Sequence, residues 1–230
     1  MTLPAAFRRV HGRRPRLLDL YCCQGGGAKG YDDAGYDVTG VDKDPQPRYP
    51  YAFVQADAIA YVLAHGAEFD FIHASPPCQF DSDCQRIQGN DHPDLIAPTR
   101  AALELTGRPW VMENVGGAVP KLNDPVMLCG RMFGLDNYRH RFFEPGGGLP
   151  LERPGHPEHL APQAKMGRPV PPGHYGQFVG NFSGVQAARD VLGVPWMNRD
   201  GIRECIPPAY AEWIGRAALV SLAPVLGVAA

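Results

Sequence analysis

The stretch "RLLDLYCCQGGGAKGYDDAGYDVTGVD", residues 16–42, decides the fold. A short apolar strand with an acid near its end runs into the glycine-rich "QGGG". A short helix closing at Gly35 follows, and then a second strand, "YDVTGVD". Strand, tight turn, helix and strand is the unit that winds parallel sheets, because parallel neighbours need a crossover. The alternation continues downstream. "YAFVQADA" reads as a third strand ending at Asp57, "IAYVLAHG" as a helix with Gly66 at its end, and "FDFIHA" as a buried fourth strand. "HPDLIAPTRAALELTG" has helical spacing, with Pro93 near its start, Pro98 placed to delay or kink it and Gly107 at its stop; "PWVMENV" is a fifth strand. The expected fold is α/β, a doubly wound, mostly parallel Rossmann-like sheet with a small irregular segment appended.

In such sheets ligands bind outside the carboxyl ends of the strands. That rule puts residues 21–27, Asp42, Asp57, Cys78 and Glu113 along one edge. In "SPPCQF", residues 75–80, Pro76 and Pro77 fix φ and remove two backbone donors, so the chain leaves strand four on a preset path that aims Cys78 into the cleft. A thiolate there is a nucleophile, provided that cations or helix-end amides lower its pKa. The alternative reading is a buried core thiol. Asp42 suits ribose hydroxyls and Asp57 an adenine amino group, or each is a turn or helix cap. Glu113 in "MENV" serves as a general acid if burial raises its pKa, and otherwise as an ion-paired strand-end acid. Arg139 and Arg141 in "YRHRFFE" alternate, so on a strand both face one side with His140 opposite, presenting two guanidinium forks to phosphate or carbonyl oxygen.

The chain has 230 residues and a formal net charge of −2, which argues against a generally basic nucleic-acid coat protein. One main domain is expected. Five arginines (Arg8, Arg9, Arg13, Arg14, Arg16) crowd the beginning, either as a solvated tail or as phosphate contacts. The start "MTLPAAFRRVHGRR" has no apolar signal-peptide core, and the six cysteines lack a dense disulfide spacing, so reduced thiols and a cytoplasmic location are expected. The apolar stretch "AALVSLAPVLGVAA" is too short for a bilayer span, so no membrane role is expected. Eight prolines lie between Pro145 and Pro172, which marks an insert or lid with little core of its own. Regular pattern resumes at "FSGVQAARDVLG"; Asn198 is placed to cap "RDGIREC", and Pro207-Pro208 to open a last helix. Two histidines in "HPEH", His156 and His159, with Cys205 are a conceivable metal set, but solvated loop histidines are the expectation and no metal is assigned.

The sequence resembles the DNA (cytosine-5) methyltransferases, which use S-adenosylmethionine. The resemblance runs through "LLDLYCCQGGG", "GVDKD", "QADA", "SPPCQ", "ENV" and "RHRFFE", and resumes in "IPPAYAEWIG". A "PQP" at 45–47 makes it similar to a compact subgroup of phage and bacterial genomes. The resemblance implies that Cys78 adds to carbon 6 of a flipped cytosine, Glu113 holds and protonates ring nitrogen 3, and Arg139 and Arg141 complete the catalytic set. It implies cofactor contacts from Tyr21, Gln24, Gly25, Gly26, Asp42, Lys43, Asp57 and Ala58, and substrate contacts from Pro77 and Gln79. It implies double-stranded DNA as partner; a monomer is expected. RNA as substrate and a silent DNA-binding relative are the competing readings. The implied domains are a basic arm at 1–15, a catalytic domain at 16–144 and 202–230, and a small target-recognition segment at 145–201. Cys23 replaces a glycine of the family pattern, Asn137 a glutamine, and Arg203-Glu204 the late Gly-Asn if "IPPAY" is the aligned motif, with Gly180-Asn181 the rival match.

Overall fold

The computed structural model describes residues 2–77, 94–165 and 167–222. Its centre is a seven-stranded sheet of β1 (Arg16–Leu20), β2 (Asp37–Asp42), β3 (Ala52–Gln55), β4 (Phe71–Ala74), β5 (Trp110–Asn114), β6 (Val126–Leu128) and β7 (Arg141–Gly146). The order is β3-β2-β1-β4-β5-β7-β6, parallel from β3 to β5, with β7 antiparallel to both β5 and β6. The five strands read from the sequence are all present, and the mostly parallel doubly wound sheet is the one expected. The β6 strand went unread because three residues give no measurable alternation.

Register makes the working edge. Leu20 of β1 pairs with Val41 of β2 and with Ala74 of β4, while Ala74 pairs with Met112 of β5. The carboxyl ends of the four strands therefore finish level. Every residue of β4 and β5 is buried, the polar His73, Glu113 and Asn114 included, as expected of strands covered on both faces.

The helices α1 (Leu3–His11), α2 (Gly26–Ala34), α3 (Ala58–His65), α4 (Ile96–Leu105), α5 (Val185–Leu192), α6 (Arg199–Glu204) and α7 (Pro208–Leu222) fill the two faces and the rim. On one face, Tyr31, Tyr36, Phe71, Tyr210 and Ile214 join α2 and α7 to the sheet. On the other, Leu18, Val62, Ile72 and Leu103 bring in α3 and α4. Pro98 neither delays nor kinks α4: it lies in the first turn, where its missing N–H has no intrahelical partner to lose. Helices α2 and α7 approach so closely that a Cβ on Gly30 would stand 2.0 Å from the Pro208 carbonyl oxygen and 2.6 Å from the Glu212 nitrogen.

Two expectations are corrected. Residues 1–15 are not a free arm: α1 docks through Ala6 and Phe7 against Leu222. Of the five arginines, Arg13 pairs with Asp70, Arg14 binds Asp32 and the Gly35 carbonyl, and Arg16 pairs with Glu68; Arg8 and Arg9 are exposed. The basic run is largely consumed by the fold. The segment 145–201 also differs, because Pro145 and Gly146 belong to β7 and pair with Val111 and Trp110. Its later part carries a small core of Phe178, Phe182, Leu192, Val194 and Met197, fused to the main domain through Ile202 and Cys205. The end of "AALVSLAPVLGVAA" lies outside the described residues.

Gly30→Ala is expected to destabilise the fold by about 1–3 kcal/mol, because the methyl group meets backbone rather than a movable side chain. The urea midpoint of the purified variant measures it.

Candidate active site

The glycine-rich turn after β1 is held in an unusual backbone shape. Tyr21 and Cys23 both take positive φ, 58° and 45°, which non-glycine residues rarely do. The tie that holds them is Asp42 at the end of β2: Oδ2 accepts from the Cys23 N–H at 3.0 Å and Oδ1 from the Asp44 N–H at 3.0 Å. Gly25, at φ 80°, caps α2, and a Cβ there would come within 2.9 Å of the Tyr49 ring. Glycine is thus required at Gly25 for both conformation and space.

The outer wall of this cleft comes from the late segment. Gln24 makes reciprocal bonds with Asn198, its Nε2 donating to Asn198 Oδ1 at 2.8 Å and its Oε1 accepting from the Asn198 N–H at 3.1 Å. Trp196 Nε1 donates to the Gln24 carbonyl at 2.7 Å. A Cβ on Gly26 would lie 2.4 Å from Cys205 Sγ, so the wall rests directly on the glycine turn. Asn198 caps α6 as expected, accepting from the Gly201 N–H at 3.0 Å. Glu204 faces the cleft, with Cys23 Sγ donating to its Oε2 at 3.2 Å, whereas Arg203 turns to Asp200 at 2.8 Å. These contacts answer the question left by the missing Gly-Asn: the carboxylate is at the cleft and the guanidinium is engaged elsewhere.

The other expected cofactor residues are spread along the same edge. Tyr21 binds the Thr99 hydroxyl at 2.8 Å, and Lys43 is exposed with its carbonyl accepting from Gln55 at 3.0 Å. Asp57 is the cap of α3, accepting from the Ala60 N–H at 2.8 Å, and Ala58 is the buried first residue of that helix. Asp57 therefore realises the capping reading through Oδ1.

Glu113 ends β5 and is buried. Arg141 Nε stands 2.9 Å from Glu113 Oε1, close enough for an ion pair, yet Oε1 has no aligned hydrogen-bond donor among the described residues. Burial pushes the Glu113 carboxyl above its usual range; Arg141, Arg139 and a hydrogen bond from Ser75 pull the other way and do not cancel it. Behind Ser75 runs a buried chain: Ser75 Oγ lies 2.8 Å from His73 Nε2, and His73 Nδ1 lies 2.7 Å from the Tyr31 hydroxyl. Burial holds His73 down to about 3, so it is neutral. Asn114 was not read as a site residue, although it stands inside "MENV". Its Nδ2 donates to the Pro76 carbonyl at 3.1 Å, which fastens the Pro76-Pro77 path to the strand that carries Glu113. Pro77 is half-buried at the end of that path; Cys78 and Gln79 lie outside the described residues.

Arg139 and Arg141 do not share a face. Arg139 precedes β7 at φ 31° and is buried, where it donates to four backbone carbonyls: Cys205 at 2.7 Å, Phe178 at 3.1 Å, Ile202 at 2.9 Å and Arg203 at 2.7 Å. The alternation rule failed because the strand starts only at Arg141. Arg139 positions the wall, and Arg141 is the arginine at the carboxyl group. The histidines of "HPEH" likewise meet a different thiol, Cys129 rather than Cys205.

No family profile and no curated protein matches the chain in sequence. Among solved structures, it is similar to a prophage-encoded E. coli protein assigned as a DNA modification methyltransferase, at 16% identity over 91% of this chain and 99% of that one, with a TM-score of 0.58. The chain has that fold. Two further similar structures are DNMT2 of Spodoptera frugiperda, at 15% identity over 93% and 100% of the two chains with a TM-score of 0.48, and Dnmt2 of S. pombe, at 17% over 58% and 49% with a TM-score of 0.41. The sheet carries its glycine turn, Asp42 and Glu113 on one edge, and no helix among the described residues is long and apolar enough to cross a membrane.

Two outcomes test the site as described. Arg139→Lys, which cannot reach four carbonyls with a single ammonium, is expected to cost about 2–4 kcal/mol of stability. Arg141→Lys, with a less committed side chain, is expected to cost under about half of that; thermal unfolding of the two variants makes the comparison. Asp19, buried under the glycine turn, is pushed up to about 7 by burial. Its folded form therefore binds a proton that the unfolded chain has released, and Asp19's own contribution to stability falls as pH rises from about 4 to about 7. The difference in urea midpoint between wild type and Asp19→Asn is expected to change across that window and to be flat above it.

Proposed function

We propose that the chain is a DNA (cytosine-5) methyltransferase that uses S-adenosylmethionine and works on a base turned out of the duplex. The observation that carries this reading is Glu113: a buried carboxyl with a raised pKa, 2.9 Å from Arg141, on a strand tied through Asn114 to the Pro76-Pro77 path that leads into Cys78. A buried carboxyl group whose proton affinity is raised, next to a guanidinium, is suited to a base that presents a ring nitrogen and a carbonyl side by side.

The cleft beside it suits the cofactor by charge. Gly25 and Gly26 let the turn that lines it pack directly on Tyr49 and Cys205, where any side chain would clash. Asp42 keeps lone pairs for ribose hydroxyls beyond its two backbone bonds, and Glu204 offers a carboxylate to an α-ammonium. S-adenosylmethionine supplies an electrophilic methyl group on sulfur.

The chain's own residues do the rest. The Cys78 thiolate forms a bond to carbon 6 of the cytosine while Glu113 gives its proton to nitrogen 3. The electron pair displaced from the 5,6 double bond makes carbon 5 nucleophilic, and charge that grows on the ring meets Arg141. After carbon 5 has taken the methyl group it gives its proton to a water acting as base, the bond to Cys78 breaks with the sulfur leaving as thiolate, the 5,6 double bond returns, and nitrogen 3 returns its proton to Glu113. Because the target atom is stacked inside a duplex, the base is extruded first. Arg139 acts through the wall it holds, not on the base.

Cys78→Ser is expected to abolish transfer while leaving cofactor binding intact, and Glu113→Gln to slow it by about 10²–10⁴-fold. Mass spectrometry of nucleosides from duplex DNA and from RNA incubated with the enzyme measures both, with 5-methylcytosine from DNA as the expected product. Duplex DNA bearing 5-fluorocytosine is expected to trap the wild type in a denaturation-resistant adduct. Transfer by the serine variant, or methylation of RNA alone, defeats the reading.

A further inference from the structure

The proline-rich stretch after β7 raises a mechanical problem. Residues 150–160 form neither helix nor strand, yet the chain there lies against the end of the sheet. What it brings to that end is two histidines. Cys129, at the end of β6, His140, next to Arg141, and His156 and His159 of the proline-rich stretch place one ligand atom each within 4.8 Å of one another. Cys129 Sγ is 3.4 Å from His159 Nε2, and His140 Nε2 is 3.1 Å from His156 Nε2. Zinc binds sulfur at about 2.3 Å and imidazole nitrogen at about 2.0–2.1 Å, so the edges of a tetrahedral site are about 3.6 Å for S···N and about 3.3 Å for N···N. The observed 3.4 Å and 3.1 Å each lie within about 0.2 Å of those edges.

We propose that Cys129, His140, His156 and His159 form a structural zinc site that staples the proline-rich segment to the strand bearing Arg141. The ligand set is one soft thiolate and three imidazoles, which suits zinc and not a hard cation such as magnesium or calcium. Four protein ligands close the coordination shell, so the site is structural; it leaves no open position for a reacting water.

Hydrogen bonding alone explains the cluster less well. It contains three imidazoles packed ring against ring, with centroids 5.1 Å apart for His140 and His159, 5.2 Å for His140 and His156, and 4.7 Å for His156 and His159. Each ring presents a nitrogen to the same small volume. Neutral rings satisfy such a volume only in part, and protonated rings repel one another. A dication satisfies all the lone pairs together. His159 is further held by stacking on Tyr138, with centroids 3.6 Å apart, so its ring is preset before any ion arrives. Cys129 is buried and its thiol is pushed up, a tendency that coordination reverses by removing the proton.

The mechanical consequence follows from the fold. A chain length with no ladder of its own needs a staple, and a metal supplies one where the local core is small. The site joins three stretches separated in sequence: the end of β6, the approach to β7, and the segment that follows β7.

Tag-free protein, freed of metal with a chelator, dialysed against zinc and then passed through gel filtration, provides the test. Wild type is expected to retain about one equivalent of zinc per chain and to unfold several degrees higher than the metal-free form. The His156→Ala/His159→Ala double variant, altered only at exposed side chains, is expected to lose both the zinc and the gain. With cobalt(II) in place of zinc, wild type is expected to show the visible bands of tetrahedral cobalt and a thiolate charge-transfer band, the latter lost in Cys129→Ser. Background zinc in wild type overturns the proposal whatever the variants do. So does equal zinc in the double variant, or a cobalt spectrum without a thiolate band in wild type.

Discussion

The buried guanidinium of Arg139 is the constraint on which the cleft depends. Its N–H groups end on the carbonyls of Phe178, Ile202, Arg203 and Cys205, so one side chain gathers the end of α6 and a turn of the small late core onto the approach to β7. Burial lowers Arg139 only to about 10, so the group stays charged at neutral pH, and each carbonyl receives a charge-assisted bond. Three of those carbonyls, of Ile202, Arg203 and Cys205, belong to the end of the six-residue α6, and it is this helix end that sets Cys205 against Gly26 and Glu204 toward Cys23. Remove the cation and the wall loses the partners of several backbone acceptors at once. The positive φ at Arg139 follows from the same demand, since the side chain has to point away from the strand that begins two residues later.

The sequence made the parallel half of the sheet plain, because β4 and β5 are mainly apolar, with Pro76 shortly after the one and Pro109 just before the other. It made the working edge plain for the same reason: once the strands are placed, their carboxyl ends follow. It failed at β6 and at the face of Arg139, where short or late-starting strands give alternation nothing to act on. The arginines near the start misled because a cluster of like charge looks the same whether it meets solvent or separate acids. Only the three-dimensional neighbours Asp32, Glu68 and Asp70 decide that. Asn114 was hidden by its own motif: the acid beside it drew the chemical reading, and nothing in one sequence says that an amide will reach back to the Pro76 carbonyl.

That amide bears on the two prolines. Pro76 and Pro77 lack N–H groups, so the chain leaving β4 cannot be held by its own donors and has to be held through its acceptors. Asn114 does so at Pro76, while its Oδ1 accepts from the Val115 N–H at 2.9 Å and keeps the side chain from rotating away. The exit from β4 and the acid at the end of β5 are thereby fixed relative to one another by two short bonds within neighbouring strands. A nucleophile and an acid that act on opposite parts of one ring need that kind of rigid spacing.

Charge is distributed along the edge in a way that the net value of −2 conceals. The glycine turn is ringed by carboxyl groups, with Asp42 at its backbone, Glu204 on the wall and Asp19 beneath. The adjoining cleft is lined by Arg139, His140 and Arg141. The proposed function uses that division, with a cationic sulfonium at the first and a phosphate-bearing strand at the second. The division also keeps Glu113 at the border, where Arg141 offsets its charge without overcoming the burial that favours its proton. Were the arginine's field to reach the carboxyl unopposed, its hold on the hydrogen that the proposed chemistry takes from it would weaken. The depth of β5 in the sheet is therefore as much a part of the acid as the carboxyl group itself.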